Sequence, residues 1–160
     1  MSYIGDGQAG GDGFIVMRAD AAPSMALGTG AVTRFVAPGS TASGRYGLFR
    51  WDAPAHSGGA KPHFHRTFSE AFFILSGSME VLAGADWTMA KTGDYLYVPE
   101  GGIHAFRNDG DEDASMLILF APGPPRERYF EELAEIARSG RVPTPEEWTE
   151  LYARHDQFMV

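Results

Sequence analysis

The stretch that decides the fold is His63-Phe64-His65-Arg66-Thr67-Phe68-Ser69-Glu70, followed after six residues by Gly77, and its counterpart GDYLYVPEGGIHAFRN at residues 93–108. Histidines at i and i+2 on a strand project from the same side of a sheet. If that side faces an interior, the imidazoles of His63 and His65 converge on one point. The polar stretch Arg66–Ser69 turns the chain so that a new strand begins at Glu70, which brings a carboxylate toward the same point. His104 stands just after the Pro99-Glu100-Gly101-Gly102 turn, at the start of another strand.

Three neutral imidazoles and one carboxylate form a ligand set that suits Fe(II), Mn, Co, Ni, Cu or Zn and disfavours Ca. An octahedral ion on four such ligands keeps two positions open for water, O₂ or a substrate. On spacing alone, a histidine pair in a strand serves equally well as polar decoration. Burying these groups together is nevertheless costly unless something such as a metal satisfies them.

Outward from these windows, short runs rich in Phe, Tyr, Val, Ile and Leu alternate with Gly, Pro, Asp and Ser. Strands are expected at 14–18, 31–37, 44–52, 63–66, 70–76, 79–83, 86–90, 94–98, 104–107 and 114–120. Many short strands with frequent turn signals predict an all-β sandwich or barrel. Gly77 lies where a tight turn between two strands needs φ > 0. Residues 1–13 read as a flexible, Gly-rich leader, residues 14–121 as the barrel and residues 122–160 as a helical extension.

In that extension Phe130, Leu133, Ala134 and Ala137 share one helical face, with Gly140 as the stop. Thr144-Pro145-Glu146-Glu147 opens a second helix with a capping box, and Trp148, Leu151 and Tyr152 form its apolar stripe. Two arrangements are open: both helices pack on the outside of the barrel, or one closes its mouth over a ligand.

Composition sets the outer bounds. The 160 residues contain 44% hydrophobic side chains, enough for one core, and a formal net charge of −8 from 13 basic and 21 acidic residues. No basic cluster is present to neutralise phosphates, so neither nucleic acid nor an anionic membrane surface is expected as a partner. The chain has no cysteine, which excludes disulfides, thiolate metal sites and a cysteine nucleophile. No stretch approaches the about 18 apolar residues that a membrane span needs, and Met1–Gly13 resembles no signal peptide, so a cytoplasmic location is expected.

The two windows together resemble the signatures of the cupin superfamily. The first signature is His-x-His, four residues, Glu, six residues, Gly, met by His63, His65, Glu70 and Gly77. The second is met at each fixed position by Gly93, Pro99, Gly101, His104 and Asn108. One departure is Ser57, where the family pattern opens with glycine. The chain is similar to small single-domain bacterial cupins of the quercetin-dioxygenase-like kind. That resemblance implies a double-stranded β-helix, the jelly-roll cupin barrel, here with two C-terminal α-helices. It also implies one divalent metal on His63, His65, Glu70 and His104, and a homodimer pairing its sheet edges.

If Glu70 points inward, so do Phe72 and Ile74, and Phe106 follows His104; Lys61 shares the parity of His63. Phe72, Ile74 and Phe106 read either as a pocket for an aromatic substrate or as ordinary barrel core, and Lys61 is expected to offer one cationic contact at the rim. The leading expectation is a metal-dependent dioxygenase acting on an enolic, flavonol-type aromatic, with Glu70 as ligand and catalytic base. The alternatives are a Lewis-acid isomerase, cyclase or lyase, and a small-ligand-binding protein without catalysis. His56 and His155 are expected to be solvated rather than catalytic.

Overall fold

The computed structural model describes residues 15–160. In chain order it runs β1 (Ser24–Ala26), β2 (Val32–Ala37), β3 (Gly47–Ala53), β4 (His63–Phe64), β5 (Ser69–Ser76), β6 (Ser78–Ala83), β7 (Asp86–Lys91), β8 (Tyr95–Val98), β9 (His104–Arg107) and β10 (Ala114–Ala121). Then follow α1 (Arg126–Ser139), α2 (Pro145–Arg154) and β11 (Phe158–Met159). One sheet has the order β1-β2-β3-β10-β5-β8 and the other β11-β4-β9-β6-β7, with antiparallel pairing throughout. This is the jelly-roll arrangement of a double-stranded β-helix.

The two sheets share one core because their strands alternate. Along β5, Glu70, Phe72 and Ile74 are buried while Phe73 is 41% exposed. Along β3, Phe49, Trp51 and Ala53 turn inward, and Arg50 and Asp52 turn to the other face. Phe49 meets Phe120 of β10 edge-on at 5.6 Å and Phe35 of β2 at 5.4 Å, geometries that aromatic quadrupoles favour. On the outer face, the Asp52 carboxylate accepts from Arg34 Nε at 2.8 Å, Arg50 Nε at 2.7 Å and Ser115 Oγ at 2.9 Å, joining β2, β3 and β10.

Gly77 turns the chain from β5 to β6 at φ 68°, and a Cβ there would lie 2.5 Å from the Asp113 carbonyl oxygen. Both conformation and space therefore demand glycine.

The helices form where the apolar stripes place them. Tyr129, Phe130 and Ala134 are the buried face of α1, and Gly140 ends it in the left-handed conformation. The Phe130 ring reaches into the barrel core, 5.2 Å from Phe49 and 6.2 Å from Phe35. α2 carries the full capping box between Thr144 and Glu147.

Three features depart from the sequence reading or lie beyond it. Phe14 and the leader at 1–13 fall outside the described residues, and residues 15–18 form no strand. The first ladder is instead β1 on β2, with Met25 opposite Thr33. β11 was not foreseen: two residues pair with β4, Phe158 opposite Phe64 and Met159 opposite His63. Among the described residues, no helix is long and apolar enough to cross a membrane.

Candidate metal centre

Both sheets contribute to the cluster singled out from the sequence. His63 lies in β4, directly opposite His104 at the head of β9, and His65 follows two residues later. Glu70 comes from β5 in the facing sheet. The turn at Gly101 (φ 77°) donates its N–H to the His65 carbonyl at 2.7 Å, so one turn both starts the approach to His104 and braces His65.

The four side chains are each no more than 4% exposed, and one ligand atom from each lies within 4.8 Å of all the others. His104 Nε2 is 2.9 Å and His65 Nε2 3.2 Å from Glu70 Oε2, while His63 Nε2 is 3.2 Å from His65 Nε2.

The opposite edge of each ring decides what these atoms can be. His63 Nδ1 donates to the Lys61 carbonyl at 2.7 Å, His65 Nδ1 to the Asp156 carbonyl at 2.6 Å, and His104 Nδ1 to the Gly102 carbonyl at 3.0 Å. A carbonyl oxygen only accepts, so each Nδ1 holds the proton and a neutral ring presents a lone pair at Nε2. Three lone pairs and a carboxylate oxygen thus crowd one point, an arrangement of acceptors that a bound cation satisfies.

The electrostatics agree at His63 and Glu70. Burial, and next the neighbouring His104, hold His63 down at about 3, so its ring stays neutral. Burial pushes Glu70 up, but His104 and then His65 outweigh it and keep the carboxyl below the usual range. Burial also pulls His104 down, yet its ion pair and hydrogen bond with Glu70 leave it raised, so its Nε2 favours a proton facing Glu70, in the place that a metal ion would take. His63, His65, Glu70 and His104 can therefore hold one metal ion, with imidazole and carboxylate donors fitting a divalent transition metal.

Beside the cluster is a cavity of about 720 Å³. His63 and Glu70 form part of its wall, with Trp51, Phe106 and Phe120 from the barrel and Arg126, Tyr129 and Phe130 from α1. Trp148 and Tyr152 of α2 and residues Gln157, Met159 and Val160 complete it, so the helices and the last residues bound the space over the barrel.

The four expected substrate contacts are divided by this cavity. Lys61 lies exposed at its rim and Phe106 lines it. Phe72 and Ile74 are wholly buried in the core and form no part of its lining. His56 is solvent-exposed beside Asp111. His155 is not solvated as expected: its side chain is 10% exposed and pairs with Glu132 at 3.0 Å.

Arg126 was not singled out from the sequence. Its one signal is a cation at the first position of a helix, where the macrodipole disfavours positive charge. Trp51 was likewise missed, being one aromatic residue among many in a strand.

The family model for the cupin domain matches residues 49–120, which contain both signature windows. An uncharacterized protein of Streptomyces coelicolor is 33% identical over 76 residues, covering 48% of this chain and 68% of that one. A second, from Aquifex aeolicus, is 31% identical over 61 residues, covering 38% of this chain and only 50% of its own length. Among solved structures, the polyketide cyclase RemF of Streptomyces resistomycificus aligns with a TM-score of 0.58 at 17% identity, over 68% of this chain and 80% of that one, a likeness of fold. The chain belongs to the cupin family.

Proposed function

We propose that this cupin is an enzyme that holds one divalent transition metal on His63, His65, Glu70 and His104 and oxidises an enolic aromatic small molecule as a dioxygenase. The observation that carries the reading is the crowding of three Nε2 lone pairs and the Glu70 carboxylate at the wall of an aromatic cavity of about 720 Å³. Such an ion, when bound, supplies Lewis acidity and, if redox-active, an electron path between an enolate and O₂.

The chain's own residues set the rest. Trp51, Phe106 and Phe130 offer ring faces and edges to a planar substrate and exclude water from it. Carbonyls of Lys61, Gly102 and Asp156 hold the three imidazoles in one tautomer and orientation. Glu70 is kept ionised by His104 and His65, which suits a ligand more than a base. To take a substrate hydroxyl proton it has to leave those contacts for the cavity that it lines.

The test is O₂ uptake by iron-, manganese-, cobalt-, nickel- and copper-loaded protein offered enolic aromatics. Metal-dependent uptake with stoichiometric product supports the reading. Turnover of the same compounds without oxygen contradicts it.

A second reading, a Lewis-acid isomerase, cyclase or lyase, is favoured by one specific group. The Tyr129 hydroxyl belongs to a side chain lining the cavity, and burial keeps it a phenol. A phenol and the carboxylate of Glu70 on one cavity form an acid and a base for proton movement without oxygen. Anaerobic turnover that Tyr129→Phe abolishes selects this reading, and binding without any turnover leaves a ligand-binding cupin. We also propose a homodimer, as the family resemblance implies, and a cytoplasmic location, as expected from the sequence.

A further inference from the structure

Arg126 is the one arginine among the described residues that is buried. Its guanidinium lies over Tyr129 at 3.9 Å and within 6 Å of the ring centroids of Phe120, Phe68 and Phe130, at 5.1, 5.7 and 5.8 Å. Its hydrogen bonds go to neutral acceptors, the His155 carbonyl at 3.1 Å and Gln157 Oε1 at 3.1 Å. Its Nε has no partner. Among the described residues, no carboxylate oxygen lies within ion-pair distance of it, whereas Arg34, Arg50, Arg107, Arg138, Arg141 and Arg154 all have one.

Aromatic faces offset part of the cost of taking a guanidinium from water, and the charges of Glu70 and Asp156 act on it from a distance, but a buried cation with no carboxylate in contact stays expensive. A structural tie between α1 and residues 155–157 needs only a neutral donor. What a guanidinium adds is a permanent charge and a planar set of donors matched to a carboxylate. Arg126 lines the same cavity as Glu70 and His63. With a dication in the cluster, Glu70 is committed to that ion, and the excess positive charge of the cavity calls for an anion.

The rest of the wall narrows the anion. Lys61 is the other cationic side chain on the cavity, and it lies at the rim. A phosphate dianion needs several charged donors. A single carboxylate on an aromatic body needs one guanidinium and apolar walls.

We infer that Arg126 is an anion-binding residue, and that the ligand of this cavity is an aromatic monocarboxylate whose carboxylate engages the guanidinium while its ring packs on Trp51, Phe106 and Phe130. This deepens the proposed function by naming the substrate class, and it rests on that reading only for the reaction that follows binding.

The test is calorimetric titration of the full chain with naphthoate and with its neutral isostere naphthamide, on metal-free and on zinc-loaded protein. The expected result is naphthoate binding at least about tenfold tighter than naphthamide in both forms. Arg126→Met should bring the two affinities within about twofold, and Arg126→Lys should keep part of the preference. Circular dichroism checks the fold of each variant, and should Arg126→Met not fold, the wild-type pair and Arg126→Lys decide. Equal affinities in the wild type, no detectable naphthoate binding, or an undiminished preference in Arg126→Met overturns the inference. Failure to retain zinc with the carboxylate preference intact would sink the metal reading and leave this one standing.

Discussion

His65 Nδ1 lies 2.6 Å from the carbonyl oxygen of Asp156, a residue 91 positions later in the chain. The same Asp156 accepts, through its carboxylate, the backbone N–H groups of Arg66 and Thr67 at 2.9 and 2.8 Å and the Thr67 hydroxyl at 2.8 Å. Residues just beyond α2 thus orient one ligand and hold the turn that leads from it to Glu70. Asp156 has φ 53°, a conformation that glycine also adopts freely, so Asp156→Gly removes the carboxylate without backbone strain. The expected outcome is metal affinity about 10-fold lower with all four ligands intact, measured by competition with a chromophoric chelator. Unchanged affinity would show that the turn holds itself.

Glu70→Gln replaces an anionic oxygen by an amide at the point where two imidazole nitrogens meet it. Metal affinity should fall by more than the about 10–100-fold typical of losing an outer partner. Equilibrium dialysis against zinc measures it, and retention at wild-type affinity would remove Glu70 from the ligand set.

Asp52 supplies the pH test. Burial pushes its carboxyl up, but Arg34, Arg50 and Ser115 outweigh that and leave it lowered. A carboxylate with a depressed folded pKa contributes stability that is full above its unfolded value of about 3.9 and is lost as pH falls through the folded value. Both arginines are partly exposed, so screening limits the contribution to about 1 kcal/mol. Asp52→Asn should therefore unfold at lower urea concentration at pH 7, with the gap from wild type closing below pH 4. A gap that persists in acid would assign the effect to packing.

Ile74 separates core from pocket. It is fully buried, and the cavity does not touch it. Ile74→Val should cost about 1 kcal/mol in chemical denaturation and leave naphthoate affinity unchanged. A changed affinity with unchanged stability would return Ile74 to the pocket.

The parts of this molecule legible in its sequence are those governed by local rules. The i, i+2 spacing of His63 and His65, the turn before His104 and the alternation Glu70-Phe72-Ile74 all act within one strand or turn. The capping box at Thr144 and the stripe ending at Gly140 act within one helix. The signature windows then joined the ligands across two sheets, which spacing alone could not do. What stayed hidden depends on distant pairing. β11 exists because β4 offers it an edge, and two residues carry no periodicity of their own. Phe72 and Phe106 share inward parity, yet the cavity reaches only Phe106, since helices far along the chain decide where open space remains. Arg126 reads as a surface arginine until its aromatic neighbours, contributed by β10, α1 and the turn at Phe68, come together around it.

The most direct test of the metal centre is elemental analysis of protein purified without an affinity tag or chelator, alongside His104→Ala. Close to one divalent transition metal per chain is expected in the wild type and little in the variant. A wild-type protein that carries no metal, and takes up none on reconstitution, would contradict the metal reading.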